Sequence, residues 1–411
     1  MRTLPALLLC LPGFVCAAPW EFGEPVTVAG VSDVAHFHHL DGAGRRHIAA
    51  TADQVAVVWE DDRSGAPQVY FAIKPLRAQV FAAEMQLSDG KEAFEPAVAA
   101  LGAGRWLAAW EQDGALVARL VDAQGMGVIL PLAGAGSRQV TLAVDGDGRV
   151  AAVWARDQQG GQLLEASELH VAGDSLSASA AVTVAPLAEH AHQGLPAAAW
   201  SADGALLIAW EDRRAGHTRL FATRREGVAG VASEVQLNEH FSPAEGGQEM
   251  VGLGSGVMRV MLAADAGGMV RAIWLDKRNA ASGYAVWGAA SSDDGRSFGA
   301  NGIVQDEGGA AVQQWHAALA AGKPGFVAAW DDTREAWSDS NETGDVLLSW
   351  NFAGDWSSDL LVPGASGAGY QGSPALALDP HGDLHLLWIE RDDLASPTRL
   401  RYLRGQLQPE P

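Results

Sequence analysis

Cysteine is almost absent from the sequence, and both of its occurrences lie close to the start. Cys10 and Cys16 fall in MRTLPALLLCLPGFVCAAPW, where Arg2 precedes a short apolar run and two alanines follow it. This pattern is typical of an export signal, so we predict a signal peptide over residues 1–18 and a periplasmic or secreted mature chain. A lipid anchor on Cys16 is the alternative. The mature chain would carry no thiol, which excludes disulfides, cysteine nucleophiles and thiolate metal sites.

Basic residues are also scarce. The chain has 28 Lys+Arg against 50 Asp+Glu, a formal net charge of -22. A nucleic-acid partner is excluded, because neutralising phosphates requires a basic surface. No further apolar run is long enough to span a bilayer, and no stretch keeps a helical period. With 48% hydrophobic residues, the core is therefore predicted to consist of strands.

A short apolar run that ends in tryptophan occurs seven times. The runs end at Trp59, Trp110, Trp154, Trp210, Trp274, Trp330 and Trp388, with gaps of 51, 44, 56, 64, 56 and 58 residues. Spacings of this size indicate a repeat architecture. Turn residues precede each run, and further short apolar runs lie on either side of it, so each unit reads as four strands.

Seven four-stranded units predict an all-β, seven-bladed β-propeller over residues 19–411 as a single domain. The N-terminal EFGEPVTVAG is similar to fourth-strand segments such as AAEMQLSDG. We expect it to complete the last blade and close the ring. In four units the pattern Trp-x-Asp-x-Arg is intact, for example Trp59, Asp61 and Arg63. Such repetition predicts a structural turn with an ion pair across it, which would contribute about 0–1 kcal/mol if it is exposed.

One blade carries a sharper motif. SSDDGRSF supplies Ser291, Asp293, Gly295 and Phe298, and it resembles the BNR/Asp-box repeat of the sialidase-like β-propeller superfamily. The resemblance implies a hairpin between a blade's third and fourth strands, with a structural role and no part in catalysis.

The same resemblance suggests a sialidase-type exo-glycosidase, which would use an arginine cluster, a Tyr/Glu nucleophile pair and an aspartate acid/base. Candidates in the matching chain order are Arg46, Asp62, Glu249, Arg259, Arg334 and Tyr370. The sequence departs from that family in two respects. GRRHIAA stands where the family has Phe-Arg-Ile-Pro, and seven blades replace six.

Histidines are concentrated in the loops that enter the first strands of the blades. Imidazoles without thiols favour a divalent transition metal, and the candidate ligands are His36, His38, His39, His190, His192, His240 and His316. A second candidate, for Ca²⁺, is DSNETGD with Asp339, Asn341, Thr343 and Asp345. The alternative in both cases is a set of solvated polar loops.

Aromatic residues outside the repeat positions indicate a ligand surface. Trp315, Trp337, Trp356 and Tyr370 lie in predicted loops, where rings commonly stack on sugars or peptides. These features predict an exported, non-catalytic propeller that binds a protein, glycan or metal through a His- and aromatic-rich face. The sialidase-type glycosidase is the alternative, and a purely structural subunit is the third hypothesis.

Overall fold

The strands of the protein form seven separate antiparallel sheets. The computed structural model describes residues 18–30, 36–40, 43–185, 191–214, 216–230, 234–239, 256–278, 283–306, 314–334, 343–393 and 395–409. Within these ranges the regular structure is entirely β, and none of it is a helix that could cross a membrane. The predicted all-β, seven-bladed propeller is confirmed.

The first two strands belong to the last blade, and blades 1 to 3 follow them. The two strands of the last blade are β1 (Trp20–Phe22) and β2 (Val26–Ala29), and blade 1 consists of β3 (His38–His39), β4 (Ile48–Ala50), β5 (Gln54–Asp61), β6 (Gln68–Pro75) and β7 (Met85–Gln86). Blade 2 consists of β8 (Ala93–Gly102), β9 (Arg105–Gln112), β10 (Ala115–Asp122), β11 (Gly125–Met126) and β12 (Leu130–Ala133). Blade 3 consists of β13 (Ser137–Val144), β14 (Val150–Gln158), β15 (Gly161–Ala172), β16 (Ser175–Ala178) and β17 (Val182–Thr183).

Blades 4 to 7 repeat the same antiparallel order. Blade 4 consists of β18 (Gln193–Trp200), β19 (Leu206–Asp212), β20 (Arg219–Arg225) and β21 (Glu234–Gln236), and blade 5 consists of β22 (Val257–Ala264), β23 (Val270–Asp276), β24 (Ala285–Ser291) and β25 (Gly302–Ile303). Blade 6 consists of β26 (Gln314–Gly322), β27 (Gly325–Asp332), β28 (Asp345–Asn351) and β29 (Leu360–Leu361). Blade 7 contains β30 (Tyr370–Leu378), β31 (Leu384–Arg391) and β32 (Arg399–Leu407).

The inner strands of the blades close a ring. Each of β4, β8, β13, β18, β22, β26 and β30 contacts the inner strand of the next blade, and β30 contacts β4. Closure involves the N-terminus as predicted, because β1 and β2 both pair with β32. Trp20 is buried there, and its indole N–H donates to the Gly382 carbonyl at 3.0 Å.

The seven repeat tryptophans are fully buried on the second strand of each blade. Trp59, for example, shares a cluster with Leu387 and Tyr402 of blade 7, so it packs between neighbouring blades. Each sheet is covered on both faces, which explains why the sequence before each tryptophan is apolar without alternation.

The Trp-x-Asp-x-Arg pattern forms a turn after the second strand, as predicted. Asp61 accepts a hydrogen bond from the Trp59 indole at 2.9 Å and from Arg63 Nε at 2.8 Å, and Arg63 also pairs with Glu84. The Arg63 guanidinium lies 4.3 Å from the centre of the Tyr70 ring. The Asp61 side chain is fully buried, so the small energy expected of an exposed pair does not apply.

Burial makes Asp61→Ala more damaging than a surface change. The substitution leaves the buried indole N–H of Trp59 without its acceptor, and it removes one of the two carboxylates that bind the half-buried guanidinium of Arg63. We expect a loss of about 3 kcal/mol in the free energy of unfolding, measured by urea denaturation. Asp62→Ala, which removes the neighbouring exposed carboxylate, is the matched control. Equal effects of the two substitutions would contradict this account of the turn.

The Asp-box residues form a hairpin between β24 and β25. Ser291 Oγ donates to Asp293 at 2.7 Å and accepts the Gly295 amide at 2.9 Å, and the Ser297 hydroxyl donates to Asp293 at 2.6 Å. These bonds lower the pKa of Asp293 to about 2, and the bond from the Ser297 side chain makes the largest contribution. Gly295 has φ +77° and lies against Leu207 of blade 4, and Phe298 packs in the adjacent cluster.

Candidate active site in the axial cleft

Six of the seven inner strands carry a β-bulge near their first residues. Within each bulge one non-glycine residue has φ between 47° and 59°. These residues, the bulge residues hereafter, are Glu95, Gln139, Leu195, Arg259, His316 and Ser373. Left-handed backbone at non-glycine residues is strained and is concentrated at functional sites, and bulges redirect side chains. The pattern therefore marks the mouth of the ring.

Carboxylates of the preceding blade hold most of these bulges. Glu60, directly after Trp59, accepts the Glu95 amide at 3.0 Å, and Glu111, directly after Trp110, accepts the Gln139 amide at 2.7 Å. Glu211 and Asp331 hold the bulges of blades 5 and 7 in the same way. Sequence reasoning missed this role, although an acid directly follows the tryptophan in four of the seven units.

Blade 3 has Ala155 at the position of that acid, and the side chain of its bulge residue Gln139 supplies the missing acceptor instead. The side-chain oxygen of Gln139 accepts the Leu195 amide at 2.8 Å in blade 4. The backbone of five of the six bulges is therefore held by hydrogen bonds from a neighbouring blade, which maintain these strained conformations.

In blade 1 the segment 43–47 reaches across the ring towards other blades. The Gly44 carbonyl accepts the Thr141 hydroxyl at 2.7 Å, and a Cβ on Gly44 would lie 2.2 Å from the Pro196 carbonyl oxygen. The Arg46 carbonyl accepts the Val98 amide at 2.8 Å. The segment thereby contacts blades 2, 3 and 4, and only glycine permits the closest approach.

Side chains of this segment and of the bulges line a cleft of about 410 Å³ at the mouth of the ring. Its polar side chains are His39, His47, Glu60, Glu95, Glu111, Arg259, His316 and Ser373. Its size falls within the range of about 300–1,000 Å³ that is usual for small-ligand sites. Three carboxyl groups, three imidazoles and a guanidinium thus share one concave surface, the axial cleft.

Two carboxyl groups of the axial cleft interact directly. Burial, followed by the charge of the neighbouring Glu95 and a hydrogen bond that protonated Glu111 donates to it, raises the pKa of Glu111 to about 7. Arg45, whose side chain is fully buried, lies 2.9 Å from a Glu95 carboxylate oxygen. Because its pKa is raised, Glu111 keeps its proton to a higher pH than an ordinary carboxyl group does. Glu111 can therefore act as a proton donor near neutral pH.

His316 is oriented by a buried carboxylate. Its Nδ1 lies 2.8 Å from Asp331 Oδ1, and Asp331 also accepts the Ser373 amide and the Tyr370 hydroxyl. An Nδ1–H donated to the carboxylate leaves the lone pair on Nε2, at the opposite edge of the ring. His316 is therefore suited to accept a proton from a molecule in the cleft.

The predicted sialidase set is divided by the structure. Arg259 lines the axial cleft, whereas the Arg46 guanidinium donates to the Leu262 carbonyl at 3.3 Å. Arg334 is bound in the blade 6 turn by Asp332 and Asp359, at 2.7 Å each.

The remaining members of the set lie elsewhere or have unfavourable surroundings. Burial, followed by the charge of Asp331, raises the pKa of Tyr370, which disfavours the phenolate that a nucleophile requires. Asp62 accepts the Phe37 amide at 2.8 Å. Glu249 lies outside the described residues.

The histidines predicted to bind a metal are distributed over several places. His39 and His316 line the axial cleft, the His192 amide faces Asp212, and His190 and His240 lie outside the described residues. His36 and His38 form a buried cluster with Asp61, with one ligand atom from each within 4.8 Å of the others.

That cluster fits a metal poorly, because both oxygens of Asp61 already accept bonds from Arg63. Burial lowers the pKa of His38 to about 3, so its imidazole is neutral, and its Nδ1 bonds the Thr398 hydroxyl at 2.8 Å. The metal site remains a prediction.

The predicted calcium loop and ligand aromatics are only partly described. Asp345 is buried in β28 and accepts the Gly367 amide at 2.8 Å, and Thr343 lies next to it. Asp339, Asn341 and Trp337 lie outside the described residues. Trp315 packs against Tyr284, with ring centres 5.2 Å apart.

Solved structures of similar fold include enzymes. Polysaccharide lyase Uly1 aligns with 94% of this chain and 99% of its own at 9% identity and a TM-score of 0.58. A PL25 ulvan lyase bound to a GlcA(1-4)Rha3S unit aligns with 92% and 95% at 7% identity and a TM-score of 0.54. A puromycin-hydrolysing peptidase of Mycobacterium tuberculosis aligns with 89% of this chain and 52% of its own at 12% identity and a TM-score of 0.50.

At these identities the likeness establishes a shared fold. No family model matches the sequence, and a search of curated proteins found no match.

The prediction of a non-catalytic binding propeller is wrong. Solved propellers that align with 94% and 92% of this chain include polysaccharide lyases, which favours the enzymatic alternative over a binding module. The chemistry of the axial cleft agrees, since a proton donor and an oriented imidazole line the same cavity.

Proposed function

We propose that the chain is an exported enzyme that cleaves glycosidic bonds of a polysaccharide in the axial cleft by acid–base chemistry. The observation that carries the proposal is that one cavity is lined both by His316, which Asp331 orients, and by Glu111, which keeps a proton near neutral pH. Polysaccharide lyases of the same fold support the choice of substrate class.

Elimination at a uronate is the reaction that these groups serve best. Nε2 of His316 accepts the proton from the carbon next to the uronate carboxyl group, and the electron pair forms a carbon–carbon double bond as the glycosidic C–O bond breaks. Glu111 gives its proton to the departing oxygen. Arg259, also on the cleft wall, pairs with the uronate carboxylate and stabilises the charge that develops on it.

This route needs no nucleophile. Hydrolysis of the sialidase type requires one, and the surroundings of Tyr370 keep its hydroxyl protonated. Elimination also accounts for an arginine in a cleft that is otherwise rich in carboxyl groups, since it would bind the anionic substituent of the sugar.

The proposal is tested with a panel of uronate-containing and neutral polysaccharides. Each reaction is followed for new reducing ends and for the near-ultraviolet absorbance of an unsaturated uronate. Both signals together are expected for at least one uronate polymer. Reducing ends without the absorbance would mean hydrolysis in place of elimination, and the absence of both signals across the panel would refute polysaccharide cleavage.

The pH dependence of the reaction follows from Glu111. Burial raises its pKa to about 7, and only the protonated carboxyl group can donate to the departing oxygen. We therefore expect kcat/KM to fall about tenfold per pH unit above pH 7–8. The residual activity of Glu111→Gln should lack this basic limb. A rate that stays constant up to pH 9 in the wild type would exclude Glu111 as the acid.

A further inference from the structure

A second concave surface lies between blades 5 and 6, with walls distinct from those of the axial cleft. It has a volume of about 380 Å³, within the roughly 300–1,000 Å³ that is usual for small-ligand sites. One wall is formed by β24 and β25 of blade 5, and the other by residues 354–357 of blade 6, which include Trp356. We refer to it as the blade 5/6 groove.

The groove is open because blade 5 has two glycines where other blades have larger side chains. Gly288 of the third strand pairs with Gly302 of the fourth. The corresponding pairs are Phe71 with Met85 in blade 1, Ala222 with Val235 in blade 4 and Leu348 with Leu360 in blade 6.

Packing within blade 5 does not account for Gly302. A Cβ built on it meets no atom within 4 Å among the described residues, and its φ is not positive. Gly288 differs, because its Cβ would lie 2.7 Å from the Ala272 carbonyl oxygen. The absence of a side chain at position 302 therefore leaves this space open.

Trp356 is held in place on the opposite wall. The Arg271 guanidinium lies 5.3 Å from the Trp356 ring centre and 5.4 Å from that of Phe326, and it donates to Asn351 at 2.9 Å. The next residue, Ser357, is bonded to the Trp350 amide and to Ser349. A ring fixed in advance loses little conformational entropy when a ligand stacks on it.

Polar groups beside this ring define the chemistry of the ligand. Asp306 and Asp355 line the groove and are exposed. Carboxylates accept hydrogen bonds from hydroxyl groups and repel anions. The half-exposed side chain of Ile303 adds an apolar surface. The combination fits a molecule with an apolar face and a rim of neutral hydroxyl groups.

We propose that the blade 5/6 groove is a non-catalytic binding site for a neutral pyranose or furanose segment of a polysaccharide, which stacks on Trp356. It differs from the axial cleft in presenting a tryptophan ring, and the guanidinium in its lining, that of Arg271, is already bound by Asn351 and lies against that ring. The inference does not depend on the proposed cleavage reaction.

The test is affinity gel electrophoresis with soluble arabinoxylan, hydroxyethylcellulose or polygalacturonate in the gel. The wild type should be retarded by at least one of the two neutral polymers. Trp356→Ala removes the stacking surface, and Gly302→Leu fills the groove with the side chain that blade 6 carries at this register. Each should weaken that binding at least about tenfold. Polygalacturonate is the probe for the axial cleft, so retardation in it should be the same for both variants and the wild type.

Gly134→Leu is the matched control for the glycine change. A Cβ built on Gly134 would also meet open space, and its φ is not positive. The residue lies in blade 2, outside the groove, so the Gly134→Leu variant should bind the neutral polymers as the wild type does. The proposal is overturned if the wild type binds neither neutral polymer, or if Trp356→Ala and Gly302→Leu, each with a normal melting temperature, bind as the wild type does. If Trp356→Ala fails to fold, Gly302→Leu alone decides.

Discussion

His316→Ala is expected to lower kcat/KM for polysaccharide cleavage by roughly 10²–10⁴-fold, the usual contribution of a positioned general base. The substitution removes the only imidazole among the described residues whose Nδ1 is held by Asp331. His316 is half-buried at a bulge residue position, so its loss should change the melting temperature little. Initial rates of unsaturated product formation measure the effect.

His170→Ala is the control, because His170 is exposed near the end of β15 in blade 3. It should retain full activity. Asp331→Asn should reduce activity less than His316→Ala, since it alters the orientation and tautomer of the imidazole and leaves the ring present. Cleavage by His316→Ala at the wild-type rate would remove His316 from the mechanism and leave the acid without its partner.

Deletion of residues 19–30 is expected to destabilise the protein by more than about 5 kcal/mol. The deletion removes β1 and β2, which leaves one edge of β32 unpaired, and it takes Trp20 out of a cluster with Trp350 and Trp388. Losing a buried tryptophan alone costs about 3–5 kcal/mol. The change in melting temperature, followed by circular dichroism, measures the loss.

Trimming residues 409–411 is the control, since β32 ends at Leu407. That change should leave the melting temperature within about 1 °C of the wild type. Trp20→Ala should account for a large part of the effect of the deletion. A deletion variant that melts with the wild type would contradict ring closure by the N-terminal strands.

The blade register was predictable because it repeats along the chain. Trp59 and its six counterparts share one packing environment between blades, so one kind of side chain is required at each position and a period becomes visible. Asp61 and Arg63 were assigned to a turn for the same reason. Their burial was not predicted, because it depends on Glu84 and on the aromatic ring of Tyr70 in other strands.

The candidate site was less accessible to sequence reasoning, because its residues meet across blades. Glu60 bonds the amide of Glu95, and Arg45 of blade 1 pairs with the same residue of blade 2. Neither contact leaves a local pattern in the sequence. The proton on Glu111 arises from burial and from that neighbour. Loop histidines could be read from the sequence, but the aspartate that orients His316 could not.

The predicted function failed on a related point. A fold marker such as Asp293 shows how a blade is built, and it carries no information about the cleft on the ring axis. The arginines show the same limit. Arg334 has the residue type that a sialidase would need, but its guanidinium is bound by Asp332 and Asp359 in a turn.

The most direct test of the central claim is a crystal structure of His316→Ala with an oligosaccharide of the polymer that the wild type cleaves. We predict that the sugar lies across the axial cleft, with a glycosidic oxygen within about 3.2 Å of the Glu111 carboxyl group and a uronate carboxylate paired with Arg259. An oligosaccharide bound only in the blade 5/6 groove, or bound in the cleft with its glycosidic oxygens out of reach of Glu111, would contradict the account.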